Sequence, residues 1–170
     1  KGNPGLKPSF TNSLRGSYNT FRQSYQQAIM AYVNYSNTRN SISSKVTYDD
    51  KTGGRTTRPE NINGNWNVDG GLMFNTAIDS AGYFNVNTFT QVSYQNQVGY
   101  LSLSGTDSQK NTTRTTSLSE RLAASYRNSW FEFELNGQLK FNHTRNLLQA
   151  QNNLDTWNFN YGANIGFTLP

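Results

Sequence analysis

The sequence contains no cysteine and a single histidine, His143. Without cysteine there is no disulfide framework, no thiolate metal site and no thiol nucleophile. A lone histidine has no second His or Cys to share a metal or a proton with, so His143 reads as a structural or solvated side chain. Charge is also scarce: 15% of the 170 residues are charged, and the net charge of +5 is scattered along the chain. No basic run forms an arm for nucleic acid. Hydrophobic residues make up only 34%, and no apolar run approaches the roughly 18–20 residues of a transmembrane helix.

What fills the gap is Asn, Ser, Thr, Gln and Gly, together with ten Tyr, ten Phe and three Trp. Disordered chains are charge-rich and aromatic-poor, so this composition argues for a folded chain. It suits a β-sandwich or a β-barrel with a polar interior. The opening Lys-Gly-Asn-Pro-Gly is neither a signal peptide nor a natural start, which predicts that residues 1–170 are a partial domain from a longer chain.

The organising signal is period-two alternation. From Trp157 onward, Trp157, Phe159, Tyr161, Ala163, Ile165, Phe167 and Leu169 alternate with Asn158, Asn160, Gly162, Asn164, Gly166 and Thr168. Successive strand side chains point to opposite faces, so this segment has one apolar and one polar face. The same pattern holds for Phe131, Phe133, Leu135, Gly137, Leu139 and Phe141 against Glu132, Glu134, Asn136, Gln138, Lys140 and Asn142. It recurs at 84–94, 66–75 and 118–126, the last interrupted by Glu120, and in shorter form at 29–35 and 14–18. The prediction is seven spanning strands, each longer than the about nine residues that cross a membrane on a tilted strand.

Connection lengths provide a second test. Short reversals near 22–24, 77–82 and 127–129 alternate with long segments at about 38–64, 95–115 and 145–155. Outer-membrane barrels have short periplasmic turns and long extracellular loops, so the first and last strands both run towards the periplasm and Pro170 sits at that rim. Aromatics beside the short turns (Phe21, Tyr25, Phe74, Phe84, Tyr126, Trp130 and Phe131) predict an interfacial girdle. Within 38–64, residues 42–48 and 55–60 flank Asp49-Asp50-Lys51-Thr52-Gly53-Gly54, a hairpin whose return arm carries Pro59. Helix competes locally at 23–32, 118–126 and 147–151. The first two obey the strand alternation, and the third suits a helical turn in a loop.

Candidate chemistry is thin. Glu132 and Glu134 share a face with Lys140, which suits charge balance on a lumen wall better than glycosidase carboxylates. Asp49, Asp50, Gly53, Gly54 and Asp69 lack the spacing of a calcium loop. Asp79-Ser80-Ala81 resembles a short bacterial O-glycosylation acceptor. Three Asn-x-Ser/Thr triplets, at Asn34, Asn111 and Asn142, carry little weight in a bacterial chain. Arg55, Arg58, Lys110 and Arg114 are expected in the long loops, where cations attract anionic lipopolysaccharide or ligand. Tyr100, Leu101 and Leu103 form either a ligand platform or an upward extension of the sheet. No catalytic, cofactor-binding or metal residue is assigned, no cofactor is expected, and the chain does not read as an enzyme.

The opening Gly2-Asn3-Pro4-Gly5-Leu6-Lys7-Pro8 resembles the signature that precedes a barrel strand in TonB-dependent receptors. Thr47-Tyr48-Asp49, residues 63–67, 125–132 and 142–146, and Gln151-Asn152-Asn153 are similar in order and spacing to the TonB-dependent-receptor-like outer-membrane β-barrel family. The resemblance implies an all-β, antiparallel up-and-down transmembrane barrel segment of about seven long strands. It further implies a parent chain with a plug and the remaining strands, energised uptake of a nutrient through TonB, and contact with outer-membrane lipid and lipopolysaccharide. A barrel that scaffolds a surface or secretion complex, with a surface lipoprotein or other subunits, is the second reading. A soluble carbohydrate-binding sandwich is the third.

Overall fold

The computed structural model describes residues 2–102 and 105–169. Nine strands follow in order: β1 (Phe10–Arg22), β2 (Gln27–Arg39), β3 (Ser41–Tyr48), β4 (Arg55–Ile62), β5 (Asn65–Ala77), β6 (Phe84–Leu101), β7 (Gln109–Arg127), β8 (Phe131–Asn146) and β9 (Leu154–Phe167). Seven of them form one antiparallel sheet in the order β1-β2-β5-β6-β7-β8-β9, and β3 and β4 pair separately. Each of the seven has 13 to 19 residues. That exceeds the roughly 9–11 needed to cross a bilayer. The segments with competing helical character at 23–32 and 118–126 are strand apart from a 3-10 turn at Gln23–Tyr25, and the loop turn lies at Ala150–Asn152.

The ladder registers place the apolar rows of all seven strands on one face. One row runs Leu14, Tyr35, Val68, Tyr94, Thr116, His143, Asp155, and two rows further it becomes Tyr18, Ala31, Leu72, Thr90, Glu120, Leu139, Phe159. A slip of one residue at any pair would have turned a whole strand over, so this agreement is what the alternation encodes. The rows are also staggered. The topmost aromatic on this face is Phe10 on β1, four residues before Leu14, but Trp157 on β9, two residues after Asp155 in the same row. The band therefore shifts six residues over six strand-to-strand steps. One residue of about 3.3 Å per step of about 4.8 Å gives a strand tilt of about 35°, within the range that closes barrels.

The reversals at one end are short: residues 23–26, 78–83 and 128–130. A backbone bond from the Gln26 amide to the Gln23 carbonyl closes the first, with Gln26 at φ 49°, and local side chains fix the other two. Asn128 Oδ1 accepts the Trp130 and Phe131 amides at 3.0 and 2.7 Å. Asp79 accepts those of Tyr83 and Phe84 at 3.1 and 2.9 Å. Asp79 thus serves the turn itself. These bonds to Phe84 foremost hold its carboxyl below the usual 3.8. A depressed folded pKa contributes stability that is complete above the unfolded value and lost as pH falls through the folded one. The Tyr83 and Phe84 amides should stay protected from hydrogen exchange down to about pH 4 and lose protection below it.

At the opposite end the long segments differ from expectation. Residues 95–115 are not a loop: β6 continues to Leu101 and β7 starts at Gln109. Tyr100 and Leu101 are thus an upward extension of the sheet, and Leu103 lies outside the described residues. Lys110 and Arg114 stand on β7, and Arg55 and Arg58 on β4. The last strand ends at Phe167, with Leu169 86% exposed beyond it. Pro170 lies outside the described residues, as does Lys1.

The β3–β4 ribbon continues the β2–β5 ladder in the same register, from Thr38↔Asn65 to Ser41↔Ile62. Between them Asn40 (φ 54°) and Gly64 (φ 116°) take positive φ. There the ribbon crosses over. Above the crossing β3 runs along β6, the place β5 occupies below: Ser43 Oγ accepts the Tyr100 amide at 3.3 Å, and Val46 and Ser108 exchange two bonds at 2.8 and 2.9 Å. On the other side β4 meets the segment before β1, as Asn61 bonds the Lys7 amide and carbonyl at 2.7 and 2.8 Å. Ile62 and Val98, each 5% exposed, are buried at this junction. The hairpin is therefore a braced upward wall.

Candidate functional site

Of the sheet's two faces, the apolar one has nothing packed on it. Leu72, Leu122, Leu135, Phe159 and Ile165 are all exposed, and Tyr161 reaches 83%. Patches of this extent are foreign to water-soluble monomers and fit contact with lipid. A soluble sandwich would bury such a face under a second sheet, and the described residues supply none.

Two aromatic clusters bound the face. At the short-turn end, Phe84, Tyr126, Phe131 and Phe167 follow one another with ring centroids 5.4–6.4 Å apart, and Trp130 joins Phe131 at 5.6 Å. At the far end Tyr35, Trp66 and Tyr94 form a second cluster at 6.3 and 5.1 Å, and Phe141 packs on Trp157 at 4.3 Å. The amphipathic rings of Trp and Tyr favour the lipid–water interface, and girdles of aromatic residues flank the apolar band of outer-membrane barrels. Phe21 departs from the expected girdle. It pairs with Ala28 in the row that continues through Asn75 and Asn87, on the polar face.

That polar face carries linked side chains. Arg15 Nε donates to Asn34 Oδ1 at 3.0 Å, and Asn34 donates to Asp69 at 3.1 Å. One row below, Gln91 donates to the Tyr32 hydroxyl at 3.1 Å. Tyr32 lies flat because its neighbour is Gly71: a Cβ there would stand 2.4 Å from the ring. Asp69, Gln91, Ser117, Lys140 and Asn142 surround a hollow of about 320 Å³ beside Tyr32. Glu132 and Glu134 lie on this face with Lys140, and Glu132 approaches Arg127 at 4.0 Å. Both partners are exposed, so this pair contributes little to stability.

These are the two surfaces of a transmembrane β-barrel wall. A model of an outer membrane protein beta-barrel family matches residues 1–127. The chain belongs to this family. The match spans β1 to β7, and the register rows extend the same two faces through β8 and β9. Neither a curated protein nor a solved structure matches the chain significantly. As an outer membrane barrel protein it resides in the bacterial outer membrane, with its short turns in the periplasm.

On this wall the other residues singled out fall apart or find partners. Asp49 sits in the hairpin turn, its carboxyl lowered chiefly by the Lys51 amide and then the Thr52 hydroxyl. Asp69 belongs to a different sheet, so the structure does not gather them. His143 Nδ1 meets Asp155 Oδ1 at 2.5 Å, and Arg145 reaches the same oxygen at 3.6 Å. Sequence reading missed Asp155 and Arg145, because only the β7–β8–β9 register brings them together. It also left Glu120 unpartnered on the lipid face, where the Thr90 hydroxyl donates to its carboxylate.

Proposed function

We propose that this barrel wall belongs to a TonB-dependent-receptor-like transporter that takes up a nutrient with energy supplied by TonB. The observation that carries the reading is the inner face. It is mostly polar, with Phe21, Met30, Met73 and Phe89 as its large apolar members, and the linked Arg15–Asn34–Asp69 side chains line it. A polar lumen must be filled by water or by protein. The seven-stranded sheet leaves β1 and β9 as edges without joining them, which suits an arc of a wide barrel. The widest outer-membrane barrels, the 22-stranded transporters, have a plugged lumen. The remaining strands and plug would come from the same parent chain, and ligand would meet the extracellular hairpin first.

The test uses the full-length protein and the soluble C-terminal domain of TonB. Capture of that domain by the detergent-solubilised protein is expected. Absence of capture, with unchanged growth when TonB is removed, would favour a barrel that scaffolds a surface complex instead.

A further inference from the structure

Arg114 on β7 and Arg145 on β8 are directly opposed across the ladder, on the lipid-facing side of the sheet. Like charges in that position repel, and strand pairs ordinarily avoid them. Neither is neutralised well. Arg114 donates to the Asn96 amide oxygen at 3.3 Å and has no carboxylate partner among the described residues. Arg145 has only the 3.6 Å contact to Asp155, which makes its shorter bond to His143. Lys110, four residues before Arg114 on the same strand face, adds a third cation.

Their height matters as much as their charge. Arg145 stands four residues above Phe141, a member of the outer aromatic cluster, and Arg114 four above Leu118 in the same row as Phe141. Four residues on a strand tilted by about 35° rise about 10 Å. The two guanidiniums therefore lie just beyond the hydrocarbon edge, where the headgroups of the outer leaflet sit. Guanidinium groups bind phosphate in a planar, two-pronged way and hold it more strongly than neutral donors do.

We infer that Arg114 and Arg145, supported by Lys110, form a clamp for a phosphorylated lipid headgroup of the outer leaflet, lipopolysaccharide being the ligand. The bound phosphate would relieve the repulsion that the bare pair suffers. The inference rests on the membrane placement and not on transport.

The test is binding of purified lipopolysaccharide to the full-length protein in detergent, measured by native mass spectrometry. The wild type should retain it. The double variant Arg114→Gln/Arg145→Gln should retain it roughly ten-fold less tightly, and the wild type should lose phosphatase-treated lipopolysaccharide to a similar degree. Arg58→Gln, on the hairpin and already paired with Glu60 at 3.1 Å, should bind like the wild type. Heat-modifiable migration shows that each variant is folded, and Arg114→Lys/Arg145→Lys provides a second variant that keeps the charge and should bind with intermediate strength. Equal binding by the double Gln variant, or equal binding of the dephosphorylated lipid, would overturn the clamp.

Discussion

Arginine in place of Leu139 should destabilise the folded barrel by up to about 2–4 kcal/mol, the cost of a cation facing hydrocarbon near the bilayer midplane, less what pairing with the opposed Glu120 returns. Leu139 lies in the middle row of the lipid face, between Glu120 and Phe159. One residue earlier, Gln138 points to the lumen beside Arg121 and Asn160. Gln138→Arg should cost no more than about 1 kcal/mol, the repulsion of a like charge directly opposite Arg121 on a water-facing wall. Denaturant unfolding of the full-length protein in lipid vesicles checks both. The contrast is informative because the two sites are neighbours on one strand and receive the same new residue on opposite faces. Glu120 shows how the native wall handles its one acidic exception in this row: the carboxyl is given a hydroxyl partner in Thr90.

The second large effect is expected at the crossover. Gly64→Val places a β-branched residue at φ 116°, a conformation essentially reserved for glycine. The new Cβ would also stand 2.8 Å from Val98 Cγ2, at the buried junction of hairpin and wall. Backbone strain alone costs about 1–3 kcal/mol, and the close approach to Val98 adds to it. The effect should be local. The β3–β4 hairpin loses its bracing against Ser108 and Tyr100 while the seven-stranded sheet persists. Protease added to intact cells should then cleave near 49–54 much faster than in the wild type, with heat-modifiable migration unchanged.

Why the two faces were legible and other features were not follows from solvent. In the lipid zone one side of each strand must be apolar, so Phe131 to Phe141 alternate cleanly with Glu132 to Lys140. Above the membrane neither side faces hydrocarbon. Residues 95–101 and 109–115 lose their alternation there and look like a loop, although they remain paired from Gln95↔Thr115 to Leu101↔Gln109. Phe21 was placed in the girdle because aromatics gather near turns on either face. Its parity is set by Thr20 pairing with Ile29, which only the register reveals. The hairpin at 49–54 announced itself through Asp and Gly, but its exchange of neighbours at Asn40 and Gly64 leaves no periodic trace. Arg114 with Arg145, and His143 with Asp155, are separated by 31 and 12 residues, and each pairing depends on a ladder position that no local pattern encodes.

Odd-numbered residues of β8 face lipid and even-numbered ones face the lumen. Residues 1–170 contain no cysteine, so once any cysteine elsewhere in the full-length protein is replaced, a single cysteine can be placed at each position from 133 to 141 and spin-labelled in a bilayer. Labels at 133, 135, 139 and 141 should collide with oxygen dissolved in the hydrocarbon and be shielded from a water-soluble nickel chelate, while those at 134, 136, 138 and 140 should behave in the opposite way. Uniform access of the nickel chelate to both sets, or an inverted parity, would contradict this assignment of faces.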